Sequence, residues 1–116
     1  MADINGQTEE RLDELLRAFL NNFKERKVEE NGWPTCPSAY TVAKVAVNTY
    51  TRILAESYPT FCVNCVTPGL VKTDMNFGTG SLTAEEGAKG PVMLALLPDG
   101  SPSGLFYQQT NASTFE

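Results

Sequence analysis

A short strand-like segment lies among three segments with helical patterns, and this alternation limits the chain to an α/β fold. Residues 61–66 are bounded by Tyr58-Pro59 before and Thr67-Pro68-Gly69 after, which is typical of a strand between turns. The predicted order is helix, helix, strand, helix, strand. A parallel sheet needs helical crossovers and is covered by helices on both faces. The sequence therefore predicts part of an α/β layer.

The first predicted helix carries one continuous apolar stripe. Thr8 can cap its start. The stripe consists of Leu12, Leu15, Leu16, Phe19, Leu20 and Phe23. This spacing places the six side chains on one face, while the other face is charged, so the helix lies on a surface and packs against a partner. Asn31-Gly32 and Trp33-Pro34 end this region as a turn.

The second predicted helix runs from about Pro37 to Ser57 and contains Tyr40 and Lys44. Residues four apart leave a helix from the same face. A cation one turn away stabilises the phenolate that forms when a tyrosine gives up its proton, and such a tyrosine can transfer a proton to a carbonyl oxygen. The pair therefore predicts acid/base chemistry, against the alternative of an interfacial tyrosine beside a solvated lysine.

The third predicted helix opens with the capping-box pattern Thr83-Ala84-Glu85-Glu86 and reaches about Leu97. Gly90-Pro91 in its middle predicts a kink. Pro98-Asp99-Gly100 predicts a turn. Residues 104–108 predict a final strand, followed by a polar tail.

Composition excludes some classes of function. Of the 116 residues, 41% are hydrophobic and 20% charged, as in a globular protein. The net charge of -5, without a basic cluster, argues against nucleic acid as a partner. The longest apolar run, residues 92–97, is far shorter than a membrane span, and Met1-Ala2-Asp3-Ile4 does not resemble the start of a signal peptide. We therefore expect no membrane partner and a cytoplasmic location.

The cysteine pattern Cys62-Val63-Asn64-Cys65 has the spacing of redox and zinc sites. In a strand over residues 61–66, side chains three apart point to opposite faces, which separates the two sulfurs. The chain has no histidine and no second cysteine pair, so no metal site is predicted. We expect Cys36, Cys62 and Cys65 to be buried, reduced thiols.

Several of these segments together resemble a known family. Ser38-Ala39-Tyr40, Ala43, Ala46, the run 61–66 and Pro68-Gly69-Leu70-Val71-Lys72-Thr73 resemble the C-terminal half of short-chain dehydrogenases/reductases. Trp33-Pro34 and residues 94–106 are similar to the plant branch of menthone, salutaridine and carbonyl reductase-like enzymes. The resemblance implies the C-terminal half of a Rossmann-type, doubly wound parallel sheet.

The resemblance also implies how the chain is organised. Residues 1–116 would form one partial domain of the family. Residues 1–35 correspond to an insertion that covers the face other members use for dimerisation, which implies a monomer. Residues 36–116 correspond to the catalytic helix, a strand, the cofactor turn and the last helix and strand.

The same resemblance implies roles for particular residues. Tyr40 matches the acid/base, and Lys44 matches the lysine that assists it and binds the nicotinamide ribose. Pro68 and Gly69 match the turn beneath the nicotinamide. Val71 matches the position whose main chain meets the carboxamide, and Thr73 matches a hydroxyl donor to the diphosphate. The individual alternatives for Pro68 to Thr73 are a plain strand-end turn and a helix cap.

The loop over residues 74–82 follows this turn directly and predicts a lid over a substrate. Met75 and Phe77 would supply apolar contact surface, while Gly78 and Gly80 give the backbone freedom. The alternative is an ordinary surface loop whose apolar side chains pack on the third helix.

The predicted function is part of an NADP-dependent oxidoreductase that transfers hydride between nicotinamide and a ketone or secondary alcohol of terpenoid or alkaloid type. The family's glycine-rich phosphate site and its substrate-binding serine have no counterpart before Tyr40 or on its helix. We therefore expect the isolated chain to be inactive and to bind NADP(H) poorly. The alternatives are a non-catalytic remnant and a helical module that binds a partner.

Overall fold

Three helices and three short strands follow one another in residues 6–115, which are the part of the chain that the computed structural model describes. The helices are α1 (Glu9–Lys24), α2 (Ser38–Ser57) and α3 (Ala84–Ala95), and the strands are β1 (Cys65–Thr67), β2 (Phe106–Gln108) and β3 (Asn111–Ser113). The chain divides into two compact units, Met1–Ile53 and Leu54–Glu116. None of the described helices combines the length and hydropathy needed to cross a bilayer.

Helix α1 is confirmed with its predicted cap and stripe. The Thr8 hydroxyl accepts a hydrogen bond from the Arg11 N–H at 3.2 Å. Leu12 and Phe19 are the buried side chains of the stripe. The Trp33 ring meets Phe19 edge-on, with 5.3 Å between ring centroids, and its Nε1 donates to Asn22 Oδ1 at 3.0 Å. Trp33 thus packs the turn that follows α1, of which it is a part, against that helix.

Helix α2 begins directly after Pro37, as predicted, and ends at Ser57 before Tyr58-Pro59. The Thr41 N–H donates to the Pro37 carbonyl at 3.0 Å, which starts the helical hydrogen bonds. Proline suits this place because its fixed φ matches the first turn and its missing N–H would have no helical partner.

The sheet is mixed rather than parallel throughout. Strands β1 and β2 are parallel, with Cys65 opposite Phe106, as the α/β prediction requires. The polar tail forms β3, which pairs antiparallel with β2 across a turn at Gln109 and Thr110. The sequence missed β3 because all three of its residues are exposed, so no alternation of apolar and polar residues marks it.

Strand β1 is shorter than the predicted 61–66 and begins at Cys65. The residues before β1 contact the segment that leads into β2 through one main-chain bond, from the Gly104 N–H to the Val63 carbonyl at 2.8 Å, and through bonds that involve side chains. The Val63 N–H donates to the Ser103 hydroxyl at 2.9 Å, and Asn64 Oδ1 accepts from the Leu105 N–H at 2.9 Å. These contacts hold the chain before β1 against the segment that leads into β2, at the cost of regular pairing.

The prediction of three buried thiols is wrong for two of them. Cys65 is buried within β1, but Cys36 and Cys62 are exposed. Cys62 lies outside the strand, so the alternation on which the prediction relied does not apply to it, and its thiol donates to the Ser101 carbonyl at 3.3 Å.

Helix α3 has the predicted capping box. The Thr83 hydroxyl accepts from the Glu86 N–H at 3.2 Å, and the Thr83 N–H donates to Glu86 Oε2 at 2.7 Å. This backbone hydrogen bond is the main reason that the pKa of Glu86 lies below its ordinary value. The helix ends at Ala95, two residues before the predicted end, and Pro91 lies within it. The kink at Gly90-Pro91 stays a prediction.

Two glycines give α3 its packing face. Gly87 and Gly90 are both buried. A Cβ at Gly90 would lie 3.0 Å from Val66 Cγ2 and closer still to the Gln109 carbonyl oxygen. A Cβ at Gly87 would lie 3.0 Å from Val71 Cγ1 and closer still to Val71 Cγ2. The helix therefore approaches β1 and the turn after it at a distance that only glycine permits.

Candidate active site

Tyr40 and Lys44 lie one turn apart near the start of α2, in the first unit. Lys44 Nζ is 5.6 Å from the centroid of the Tyr40 ring, over its face. Such cation–π contacts contribute about 0.5–1 kcal/mol at exposed sites. Tyr40 is 63% exposed, and Lys44 is also exposed. The phenol and the ammonium are therefore side by side and accessible to a small molecule.

The turn after β1 depends on Gly69. Its φ is +86°, a region that favours glycine, and a Cβ there would lie 2.8 Å from both Gln109 Nε2 and Leu82 Cδ1. A side chain at this position would meet both a strained backbone and occupied space. The positive φ is therefore the main reason for glycine at this position, since the two neighbouring atoms are the ends of flexible side chains that can shift.

Asn76 holds the main chain of this turn and was missed by the sequence analysis. Its Nδ2 donates to the Val71 carbonyl at 2.7 Å, and its Oδ1 accepts from the Thr73 N–H at 3.0 Å. Asn76 lies in a short 3₁₀ turn, Asp74–Asn76, for which Thr73 is the N-cap. The signal in the sequence is Thr73 followed three residues later by an amide side chain, a spacing that allows such a local hydrogen bond.

The predicted cofactor positions Val71 and Thr73 are partly engaged within the chain. The Val71 N–H donates to the Gly69 carbonyl at 3.1 Å, and its carbonyl accepts from Asn76. The Thr73 hydroxyl lies 3.5 Å from Asn76 Oδ1, at the limit of a hydrogen bond, and the residue is exposed. Val71 keeps one acceptor site on its carbonyl, and Thr73 keeps a hydroxyl that faces solvent.

The loop over residues 74–82 presents two apolar side chains to solvent. Met75 is 93% exposed and Phe77 95% exposed, so the alternative prediction that they pack on α3 is wrong. Phe77 also has a φ of +53°, which is unfavourable for a bulky residue. Phe77 thus combines an unfavourable backbone conformation with a side chain that is open to solvent.

Hydrogen bonds close this loop at its base. The Lys72 N–H donates to the Leu82 carbonyl at 2.8 Å, and the Ser81 N–H donates to the Leu70 carbonyl at 2.9 Å. Gly80 allows close packing of the main chain rather than backbone flexibility, because a Cβ there would overlap the main chain of Val71 and Lys72. The loop is thus tied at its base, and its tip carries Met75 and Phe77.

The predicted site residues form two groups, each within its own unit. Tyr40 and Lys44 come together on α2. Pro68, Gly69, Val71 and Thr73 follow β1 in the second unit, and Met75 and Phe77 continue from them.

The chain is similar to longer proteins. It is 54% identical over 116 residues to Short-chain dehydrogenase/reductase 1 of Saponaria officinalis, which covers 100% of this chain and 38% of that protein. Over 97 residues it is 44% identical to Carbonyl reductase [NADPH] 3 of Rattus norvegicus, covering 78% of this chain and 34% of that protein.

A solved structure gives the same result. The structure of salutaridine reductase from Papaver somniferum superposes with a TM-score of 0.86 at 54% identity, covering 90% of this chain and 36% of that one. No profile of a protein family matches the chain.

The chain belongs to the short-chain dehydrogenase/reductase family and matches the C-terminal part of its relatives. It spans less than two fifths of their length, with 38% and 36% in the two most extensive comparisons above. The predicted fold, an incomplete Rossmann-type α/β fold, is thereby confirmed.

Proposed function

We propose that the chain supplies the acid/base and part of the cofactor site of an NADP-dependent carbonyl reductase. The observation that carries this proposal is the accessible pair on α2, where the Lys44 ammonium lies 5.6 Å from the centre of the Tyr40 ring. An exposed phenol beside a cation is suited to proton transfer, because the cation favours the phenolate.

Tyr40 would donate the proton in ketone reduction. As the carbonyl carbon gains hydride, negative charge develops on its oxygen, and the Tyr40 hydroxyl gives that oxygen its proton. Lys44 would stabilise the phenolate that remains, because the two side chains share one face of α2 and opposite charges attract. Solvent then returns a proton to Tyr40. In the reverse direction, the phenolate removes the proton from a secondary alcohol.

Each of the two groups of residues, taken by itself, carries donors that suit part of a dinucleotide. When bound, the nicotinamide supplies the hydride. Lys44 and Tyr40 can donate to ribose hydroxyls, and the exposed Thr73 hydroxyl can donate to a phosphate oxygen. NADP(H) rather than NAD(H) is proposed because the rat relative's name specifies NADPH. The glycine-rich phosphate site would have to come from outside these residues.

The exposed pair Met75 and Phe77 would cover an apolar substrate. Their exposure leaves both side chains without a packing partner among residues 6–115. A ketone with a bulky hydrocarbon skeleton, of terpenoid or alkaloid type, would supply that partner, and closure of the loop would exclude water. A relative's name, salutaridine reductase, gives one substrate of a homologous site.

We also propose that the complete site works in a cytoplasmic monomer. None of the three cysteines, all within the described residues, is in a disulfide, which fits a reducing compartment. The monomer is proposed because residues 1–35 would correspond to the family's insertion over its dimerisation face.

A chimera tests the proposed role of Tyr40. In salutaridine reductase of Papaver somniferum, the matched C-terminal part is replaced by residues 1–116 of this chain. We expect NADPH-dependent ketone reduction, and Tyr40→Phe should lower kcat about 10²- to 10⁴-fold because it removes only the hydroxyl. Tyr58→Phe is the matched control, since Tyr58 is an exposed tyrosine outside the proposed site.

The result that contradicts the proposal is an active chimera in which Tyr40→Phe turns over at the wild-type rate. Circular dichroism and NADPH binding of the variant show that any loss arises in the chemical step. Lys44→Ala should weaken both NADPH binding and turnover, because it removes a ligand to the ribose and the cation beside the phenolate.

A further inference from the structure

An apolar groove lies between α1 and α2 in the first unit. Its volume is about 210 Å³. Leu12, Leu15, Trp33, Val42 and Ala46 are among its walls, and Thr41 is the only residue with a polar side-chain atom other than the indole N–H. Trp33 uses that N–H within the chain, in its bond to Asn22. The groove therefore offers almost nothing to a polar ligand and exposes apolar surface.

The second unit has an open strand edge. Strand β1 lies at one end of the order β1-β2-β3. Toward β2, the Cys65 N–H donates to the Leu105 carbonyl at 2.9 Å, and the Thr67 carbonyl accepts from the Gln109 N–H at 2.8 Å. Main-chain groups alternate in direction along a strand, so the N–H and C=O of Val66 point to the other edge. Such an edge is a template for another strand.

We propose that both surfaces are docking sites for the N-terminal portion of the family's fold, and that this portion binds even when it is supplied as a separate polypeptide. The matched relatives identify the occupant. Salutaridine reductase superposes on 90% of this chain with a TM-score of 0.86, yet the chain covers only 36% of it. The match is to the C-terminal part, so the part that precedes it accounts for most of the remaining length.

The chemistry of the two surfaces fits that occupant. A parallel pair such as β1 and β2 occurs in sheets that are extended by further strands and covered on both faces. A strand added beside β1 would bond the main chain of Val66. An amphipathic helix laid into the α1–α2 groove would bury its apolar side chains there, as in helix-in-groove recognition. The inference rests on family membership and does not require Tyr40 to be the catalytic acid.

The probe is the N-terminal portion of salutaridine reductase of Papaver somniferum, ending where the match to this chain begins. It is co-expressed with the complete 116-residue chain, and co-purification is followed by amide hydrogen exchange. We expect a one-to-one complex in which exchange of the Val66 amide slows at least about tenfold, because that N–H acquires a strand partner. Ala46→Arg, which places a charge in the groove, should abolish the complex.

Ala18→Arg is the matched control, since Ala18 is an exposed residue of α1 that does not line the groove. It should leave the complex intact. Circular dichroism of both variants must show the wild-type helix content, and Leu15→Arg replaces Ala46→Arg if it does not.

Failure to co-purify, or a complex in which the Val66 amide exchanges at the rate of the chain alone, overturns the inference. A complex that is unaffected by arginine in the groove overturns the groove as a docking site. If the complex forms as expected but reduces no ketone with NADPH, the docking inference stands and the proposed function fails. If the chimera is active but the separate chains do not associate, the proposed function stands and the docking inference fails.

Discussion

At the residue scale, two positions combine a left-handed backbone with a specific environment. Gly69 at +86° has the ends of the Gln109 and Leu82 side chains beside it, whereas Phe77 at +53° is open to solvent without close neighbours. At Gly69 the positive φ is the main reason for glycine, and the two neighbouring side-chain ends would have to shift to admit a methyl group. The second is a bulky residue in an unfavourable conformation without packing in return, which fits the contact with a substrate proposed for it.

Gly69→Ala should destabilise the chimera by about 1–3 kcal/mol, because the added methyl group meets both a positive φ and a close neighbour. Gly100→Ala is the control: its φ is +80°, but no atom lies within 4 Å of the added Cβ. It should cost about 1–2 kcal/mol, from the backbone alone. Midpoints of urea unfolding give the comparison, and equal losses would show that the contacts at Gly69 are unimportant.

Phe77→Ala should raise the KM of the chimera for a bulky ketone while leaving NADPH affinity nearly unchanged, because it removes apolar contact to the substrate alone. Phe77→Asn should raise KM in the same way and also raise the melting temperature, since asparagine tolerates the left-handed conformation better. If Phe77→Ala leaves KM unchanged and lowers the melting temperature, Phe77 has a structural role and does not contact the substrate.

At the element scale, α3 owes its start to a side-chain hydrogen bond and its position to glycines. The capping box of Thr83 and Glu86 fixes the first turn. Gly87 and Gly90 let the helix approach Val71 and Val66. The charge on Glu86 strengthens the cap, because an ionised acceptor forms a stronger hydrogen bond to an N–H and lies near the positive end of the helix.

The pKa of Glu86 lies below its ordinary value, so its contribution to stability is present above the unfolded-state pKa, about 4.3, and is lost as the pH falls through the lower folded-state value. The protection factors of the amides in the first turn of α3, taken relative to the intrinsic exchange rate at each pH, should therefore fall in the chimera below about pH 4.3. Glu86→Gln keeps a hydrogen-bond acceptor but cannot ionise. The difference in amide protection between this variant and wild type should therefore shrink as the pH falls below that value. A difference that is independent of pH would contradict this role.

At the scale of the whole chain, little apolar surface is removed from water in residues 6–115. The buried hydrophobic side chains are Leu12, Phe19 and Cys65, and none of the large side chains is fully buried. Exposed large hydrophobic residues include Phe61, Leu70, Val92 and Leu96. Burial of such side chains is the main favourable term in folding, so these residues provide few interactions to offset chain entropy.

The isolated chain should therefore unfold without a sharp transition, bind a hydrophobic dye and aggregate at high concentration. Calorimetry and dye fluorescence test this directly. In the presence of the N-terminal portion of salutaridine reductase, the dye signal should fall and a cooperative transition should emerge. A sharp melt of the chain alone, as a soluble monomer, would contradict the prediction.

The sequence alone determined the features that depend on nearby residues. Helical spacing and caps predicted α1, α2 and the start of α3, and the four-residue separation predicted that Tyr40 and Lys44 share a face. The tertiary structure decided what depends on distant residues: β3 as a polar strand paired to β2, the late start of β1 at Cys65, the exposure of Cys62, and the close approach of Gly87 to Val71. The physical reason is that helix caps and helical spacing depend on side chains a few residues apart, whereas strand pairing and close packing depend on which distant segments meet in space.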